Sequence, residues 1–295
     1  MTSAIDLDAY FERISYGGVR TPTLETLRAI HLRHPQAIPF ENLNPLLGRP
    51  VHLDAQSLQQ KLLFDGRGGY CFEQNLLLSH ALKGLGFQVT ELAARVLWNP
   101  PGKNVGSVDE VAAVKPRSHM LLLVDLEGGP HIADVGFGGL TLTGPLRLQP
   151  DTEQATPHES FRLIRPSPGA GAPDRMREEF VLQARIDEIW KPLYRFGLQE
   201  QLLPDYEVTN WYLSNHPESQ FVTGLMAARA EPDRRYALRN NRLAVHHRNG
   251  RTEQQVLSSV AEMRRTLEGA FHLRLPDTPD LDAALTRLVA QPAIA

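Results

Sequence analysis

Apolar residues in the first part of the chain recur at helical spacing. Leu7, Tyr10, Phe11 and Ile14 form an i, i+3, i+4, i+7 set behind Asp6, which is placed to cap the helix they predict. Pro22-Thr23 opens a second helix, with Leu24, Leu27, Ile30 and Leu32 as its apolar positions. Asp54 caps a third, through Leu58, Leu62 and Leu63. Phe64-Asp65-Gly66-Arg67-Gly68-Gly69-Tyr70 then reads as a glycine-rich turn. A fourth helix follows from Cys71 to about Leu85. Its stripe is Leu78, Ala81, Leu82 and Leu85, and Gly86 is its stop.

The pattern changes at Phe87. Segments 87–98, 118–124, 131–135, 161–164, 180–184 and 190–195 each suit a short strand. Such a succession predicts an antiparallel sheet or a small barrel. Loops at 99–117 and 166–175 interrupt it, the second rich in Pro, Gly and Ala. The remainder mixes types: a helix near 205–214, strands near 221–227 and 242–247, and helices near 258–270 and 280–289. The expectation is an α+β chain in three parts, helical over 1–86, β over 87–200 and α/β over 201–295.

Composition narrows the function classes. Hydrophobic residues make up 42% and charged residues 22%, ordinary values for a soluble globular chain. The net charge is −3 and the basic residues are scattered, which argues against a nucleic-acid partner. The single cysteine excludes an intramolecular disulfide and suits a reducing compartment. The N-terminus has no basic start and no apolar run, so no secretory signal is expected. No stretch approaches the roughly 20 apolar residues that span a bilayer. A cytoplasmic protein without membrane association is the expectation.

The lone cysteine sits where a reactive one would. Cys71 follows a flexible turn and starts a helix, where unpaired N–H groups and the helix dipole favour a thiolate over a thiol. The competing reading is a small buried hydrophobe. A nucleophile needs a base, and the base an orienting group. His119 heads an otherwise apolar strand, and Asp134 is embedded in Ile132-Ala133-Asp134-Val135. Both need partners there. The two strands suit a hairpin. A turn centred on Leu126-Glu127 sets 119 opposite 134, whereas one centred on Gly128-Gly129 separates them. Both registers remain open, as does the reading that the two residues cap strand ends independently. His80, His131 and the His246-His247 pair are weaker candidates. No metal-ligand spacing occurs, so no metal site is expected. Gly136-Phe137-Gly138-Gly139 follows the proposed acid; alone it reads as a tight turn, and its position beside the proposed base makes it a candidate pocket wall.

These segments resemble a known family. Arg67-Gly68-Gly69-Tyr70-Cys71-Phe72-Glu73-Gln74-Asn75 is similar to the nucleophile signature of the arylamine N-acetyltransferases. Pro39-Phe40-Glu41-Asn42, Ser118-His119 and Asp134-Val135-Gly136-Phe137-Gly138 resemble three further motifs in the same order. Asn215-His216-Pro217 to Ala227 resembles the family more loosely. The resemblance implies an N-terminal helical bundle, a central antiparallel β-barrel and a C-terminal α/β lid around a papain-like catalytic core. It implies Cys71, His119 and Asp134 as nucleophile, base and orienting acid. Phe40, Val96 and Phe137 match pocket-lining positions, with Gly138 beside them. It also implies acetyl coenzyme A as co-substrate, no tightly bound cofactor, and small aromatic amines or hydrazines as acceptors. It leaves a homo-oligomer open. The triad by itself is equally compatible with a cysteine hydrolase, whether amidase, protease or thioesterase. A catalytically inactive binding protein of the same fold is the third reading.

Overall fold

The structure, a computed structural model, describes residues 5–98, 115–166 and 179–290. Most of the two expected loops lies outside them. The capped helices form as the sequence suggests. Asp6 accepts Ala9 N–H at 3.0 Å to start α1 (Leu7–Arg13), and Thr23 accepts Thr26 N–H at 3.3 Å to start α2 (Leu24–Ala37). Such caps satisfy N–H groups that the helix itself cannot. Phe40–Glu41 (β1) and Leu43–Leu46 (α3) follow. Asp54 caps α4 (Ala55–Gln59), which runs into a π-helical turn at Gln60–Phe64.

Two helices depart from the simple stripe. On α2, Leu27 and Ile30 are buried, but so are His31 and His34, while Leu24 and Leu32 are only half-buried. The reason is partnership. His34 accepts from Tyr10 hydroxyl at 2.9 Å through Nδ1 and donates to Gln74 Oε1 at 2.7 Å through Nε2. On α5 (Cys71–Gly84), every residue from Cys71 to Ser79 is buried. A helix enclosed on all sides is central to its fold. Its buried polar residues Glu73, Gln74, Asn75 and Ser79 all have hydrogen-bond partners, as burial demands.

The middle of the chain forms a nearly closed antiparallel barrel. Its strands are β2 (Gln88–Val96), β3 (His119–Asp125), β4 (His131–Ala133), β5 (Leu146–Arg147), β6 (Glu153–Ala155), β7 (Ser160–Ile164), β8 (Phe180–Ile186) and β9 (Ile189–Glu200). They are ordered β5-β4-β3-β2-β9-β8-β7-β6. The edge strands β5 and β6 meet through one side chain. Gln154 accepts Arg147 N–H at 2.8 Å and donates to Arg147 O at 2.9 Å. An amide thus makes the pair of bonds that a neighbouring backbone would. Leu121, Ile132, Phe161, Leu182 and Phe196 fill the interior.

The last part adds α6 (Leu203–Asn215), the short turn α7 (Gln220–Thr223), β10 (Met226–Glu231), β11 (Arg234–Arg239), β12 (Arg242–His247), β13 (Thr252–Val256), α8 (Val260–Gly269) and α9 (Pro279–Val289). Phe221 does not belong to a strand, contrary to the expectation for 221–227. Ser219 caps the α7 turn by accepting Phe221 N–H at 3.3 Å, and the strand starts at Met226. This sheet is ordered β1-β10-β11-β12-β13, so Phe40 and Glu41 pair with Ala228 and Ala227 across the length of the chain. No helix among the described residues is long and apolar enough to cross a membrane.

Asn42, next to β1, secures that long-range joint. It donates to Phe221 O and Gly224 O, each at 2.7 Å, and accepts Met226 N–H at 2.6 Å. The residue is 1% exposed. Replacing Asn42 with Ala leaves these backbone groups buried and unpaired. Stability should fall by about 2–4 kcal/mol. Urea unfolding with an unchanged m-value measures it, and a loss under about 0.5 kcal/mol would show the joint is held by other contacts.

Candidate active site

Cys71 is placed by two close approaches of the backbone. At Gly68 a side chain is impossible, because a Cβ would lie 2.0 Å from Pro39 O. The glycine-rich turn therefore lies against residues 39–41, where Gly69 N–H donates to Pro39 O at 3.3 Å and Glu41 N–H to Gly69 O at 3.1 Å. At Gly136 a Cβ would sit 2.8 Å from Cys71 Cα. The segment after Asp134 thus passes directly over the Cys71 backbone.

Buried charge braces the turn. Arg67 donates to Glu41 Oε1 from Nε at 3.0 Å and from Nη2 at 2.7 Å. Lys61 bonds Glu73 Oε1 at 2.6 Å, and Glu73 Oε2 accepts Tyr70 N–H at 3.0 Å, closing the start of α5. Burial raises the Glu41 pKa, but the Arg67 and Lys61 cations and the Leu43 N–H outweigh it and hold the carboxyl below its ordinary range. Tyr70 hydroxyl bonds Asn210 on α6, which in turn donates to Val51 O at 2.9 Å.

His119 and Asp134 meet, but through neither of the two registers considered. The pairs Leu122↔Ala133 and Val124↔His131 set a register midway between them. Continued, it puts Leu121 opposite Asp134, with His119 its diagonal neighbour on the same face. Diagonal positions lie about 7–8 Å apart, a gap that long side chains bridge. β4 ends at Ala133, and His119 Nε2 donates to Asp134 Oδ2 at 2.7 Å. The Cys71 thiol lies 3.7 Å from the carbonyl of Ser118, the residue before His119.

The carboxylate is enclosed by donors. Asn75 Nδ2 at 3.0 Å and Gly136 N–H at 2.9 Å both donate to Asp134 Oδ1. Burial raises the Asp134 pKa, yet the His119 charge and these hydrogen bonds bring it below the ordinary value. Burial also opposes a charged His119. The Asp134 carboxylate, its hydrogen bond and the contact with Cys71 reverse that effect and raise the imidazole to about 10. Asn75 also donates to Met120 O at 2.7 Å and accepts Val135 N–H at 3.0 Å. One amide thus connects the helix of Cys71, the strand of His119 and the segment of Asp134.

Around this buried trio the wall is more open. Cys71, His119 and Asp134 are 4%, 2% and 0% exposed, whereas Phe40, Val96, Phe137 and Gly138 are half-buried. Phe137 packs edge-on to His119 at 5.1 Å. Gly138, at φ +77, lies against the Phe40 ring. Val96 pairs with Tyr194, whose ring is 4.9 Å from His119 and 5.1 Å from Phe137. Tyr194, Asn75 and His31 were not singled out from sequence. Asn75 lies in the motif around Cys71 but shows no isolated signal, and Tyr194 reads as an ordinary barrel aromatic.

Other singled-out histidines lie apart. His131 points away from Asp134, with Nδ1 bonded to Gly129 O at 3.0 Å, and His247 pairs with Glu253 on β13 at 2.9 Å. His80 sits on α5 more than two turns beyond Cys71. No group of three His, Cys, Asp or Glu side chains among the described residues is arranged to hold a metal. A cleft of about 700 Å³ between α2 and the β4–β6 edge does not include Cys71.

The chain is similar to proteins of one known family. A family model described as N-acetyltransferase matches residues 23–280. An arylamine N-acetyltransferase of Mycobacterium bovis is 43% identical, over 97% of this chain and 95% of that protein. One from Escherichia coli is 41% identical, over 92% of this chain and 90% of that protein. The structure of Mycobacterium marinum arylamine N-acetyltransferase in complex with CoA matches at a TM-score of 0.85 and 39% identity, covering 96% of this chain and 99% of that one. The fold and these matches are those of an N-acetyltransferase. Within that class, the chain belongs to the arylamine N-acetyltransferase family.

The buried histidines give stability a definite pH dependence. Burial lowers His31 to about 4 and His34 to about 3, so unfolding takes up protons below the ordinary 6.5. Their contribution is full above pH 6.5 and shrinks as pH falls toward 4, each by up to about 1.4 kcal/mol per unit. His119, raised to about 10, acts oppositely, its contribution being full below pH 6.5 and lost as pH rises toward 10. Thermal midpoints should therefore decline on both sides of about pH 6.5. A His31→Gln, His34→Gln double variant should flatten the limb between pH 6.5 and 4, and an unflattened limb would mean other groups titrate there.

Proposed function

We propose that this chain transfers an acetyl group from acetyl coenzyme A to small aromatic amines and hydrazines through an acetyl thioester on Cys71. The observation that carries the reading is the 2.7 Å His119–Asp134 contact, buried beside a cysteine at a helix start in a chain of this family. His119 takes the thiol proton, and the sulfur attacks the thioester carbonyl. The tetrahedral oxyanion collapses, and coenzyme A leaves as its thiol with the proton returned by His119. The amine then attacks the acetyl-cysteine, His119 removes its proton, and Cys71 is regenerated. Asp134 orients the ring and stabilises its charged form. On this reading residues 1–86 carry the nucleophile, 87–200 the base and acid, and 201–295 form a lid. Phe40, Val96, Phe137 and Gly138 border the acceptor. A cysteine that must stay reduced suits the cytoplasm.

Transfer must outrun hydrolysis, since bulk water is present at roughly 55 M. A nearly buried Cys71 favours transfer, because positioning in a confined wall raises the effective concentration of a bound amine. The test is coenzyme A release from acetyl coenzyme A alone. About one equivalent per chain should appear in a burst, with an acetyl group on Cys71, and turnover should resume only when an arylamine is added. Sustained release that the amine does not alter would identify a thioesterase-type hydrolase instead.

Asp134→Asn should keep the fold but weaken the charged ring and its tautomer. Acetylation should drop by about 10⁴, by analogy with serine triads. A folded variant of nearly full activity would remove Asp134 from the mechanism.

A further inference from the structure

We propose that His31 is the positioning residue for Asp134, its neutral ring accepting the Asp134 N–H and so fixing where the carboxylate meets His119. The inference rests on the triad reading above. Pairing between β3 and β4 stops at Leu122↔Ala133, so the ladder supplies no acceptor for the next N–H. His31 Nε2 takes that place at 3.0 Å, reaching in from α2. The remaining polar atoms of residue 134 are also engaged. Its side chain meets Asn75, Gly136 and His119, and its carbonyl accepts from Thr141 hydroxyl at 3.1 Å. The N–H thus makes the one hydrogen bond between the acid and α2 among the described residues.

The state of the ring follows from that bond. An acceptor at Nε2 requires the proton on Nδ1, and Nδ1 has no hydrogen-bond partner among the described residues although His31 is fully buried. A stranded donor costs stability. An apolar residue would avoid it, but would leave the Asp134 N–H without its partner. A cation would be worse, because it would compete with His119 for the Asp134 carboxylate. Burial keeps the ring neutral, lowering it to about 4 even with Asp134 opposing the shift. The helix that presents His31 is itself anchored, since His34, one turn on, binds Gln74 on the helix of Cys71 at 2.7 Å. Asp134 and the helix of Cys71 are therefore both referenced to α2, through residues one turn apart on its buried face.

The test begins with the unmodified full-length protein. Nitrogen-15 spectra of the histidine rings at pH 7 should show His31 protonated on Nδ1 and bare on Nε2. The reverse tautomer cannot accept the Asp134 N–H and would overturn the proposal whatever any variant does. The second arm compares His31→Leu with His31→Gln, whose amide oxygen can still accept. In His31→Leu, coenzyme A release from acetyl coenzyme A should slow roughly ten- to hundredfold, as small misplacements at reacting groups do. The titration of His119, followed by NMR, should move at least one pH unit down toward 6.5, a shift that mere loss of packing would not produce. His31→Gln should restore both. If folded His31→Leu keeps the wild-type rate and His119 titration while Asp134→Asn is crippled, this inference fails alone. If Asp134→Asn is unimpaired too, the triad reading fails, and this inference with it.

Discussion

A charged carboxylate with no solvent exposure must be paired or it will take up a proton, and Asp134 is such a group. Its pairing determines much of the architecture. The His119 ring comes from β3, Asn75 from α5 and the Gly136 N–H from the chain beyond β4, while His31 on α2 takes the backbone N–H. These partners are separated by up to 103 residues in sequence, so the helical part and the barrel must dock in one relative position for the carboxylate to be satisfied. A half-made set would leave a buried ion uncompensated, a penalty large enough to disfavour looser arrangements. The same pairing supports a charged imidazole at His119, since the ring gains the negative partner that burial would otherwise make it lack.

Docking at that closeness needs absent side chains. The sub-van-der-Waals distances a Cβ would make at Gly68 and Gly136 explain why two glycine-containing segments, 67 residues or more apart along the chain, flank Cys71. One lets the turn press on Pro39, and the other lets the strand end cross the first turn of α5. The Glu41–Arg67 pair then fixes the turn to β1, and β1 joins the C-terminal sheet through Ala227 and Ala228. Cys71 is therefore held by both sheets, and neither contact comes from its own helix.

Much of this was legible in sequence where the physics is local. Caps at Asp6 and Asp54, the helix opening at Pro22-Thr23 and the helical run after the glycine turn depend on neighbouring residues, and they appear as read. The unusual placement of Cys71, His119 and Asp134 was visible because each is a polar residue in a setting that demands a partner. The register that joins them was not, since turn preference left two choices and packing selected a third. β11 and β13 were missed because Arg-Arg-Tyr-Ala-Leu-Arg and Thr-Glu-Gln-Gln-Val lack apolar alternation, and their pairing comes from the sheet around them. Phe221 misled for the converse reason: Phe-Val-Thr favours strand, but the Ser219 cap and the Asn42 clamp impose a turn. His31 and His34 were invisible because a helical stripe was sought among apolar residues only. Their burial depends on partners contributed by α1, α5 and Asp134.

The contrast in exposure between the trio and its wall constrains how the proposed transfer site can work. A reacting sulfur that is 4% exposed meets little bulk water, yet a site that must exchange one substrate for another cannot be sealed. Half-buried aromatics resolve this conflict. Phe137 meets His119 edge to face at 5.1 Å and is itself half-buried, and Gly138 lies against the Phe40 ring. A flat aromatic amine can stack against such rings and displace water as it enters, so occupancy and dehydration become one event. Gly138 matters to this through its backbone, because φ +77 turns the chain between the two aromatics in a way few other residues tolerate. Under the proposed mechanism, selectivity for a flat acceptor arises from the same residues that exclude water, and the buried charge pair behind them need not change when the acceptor does.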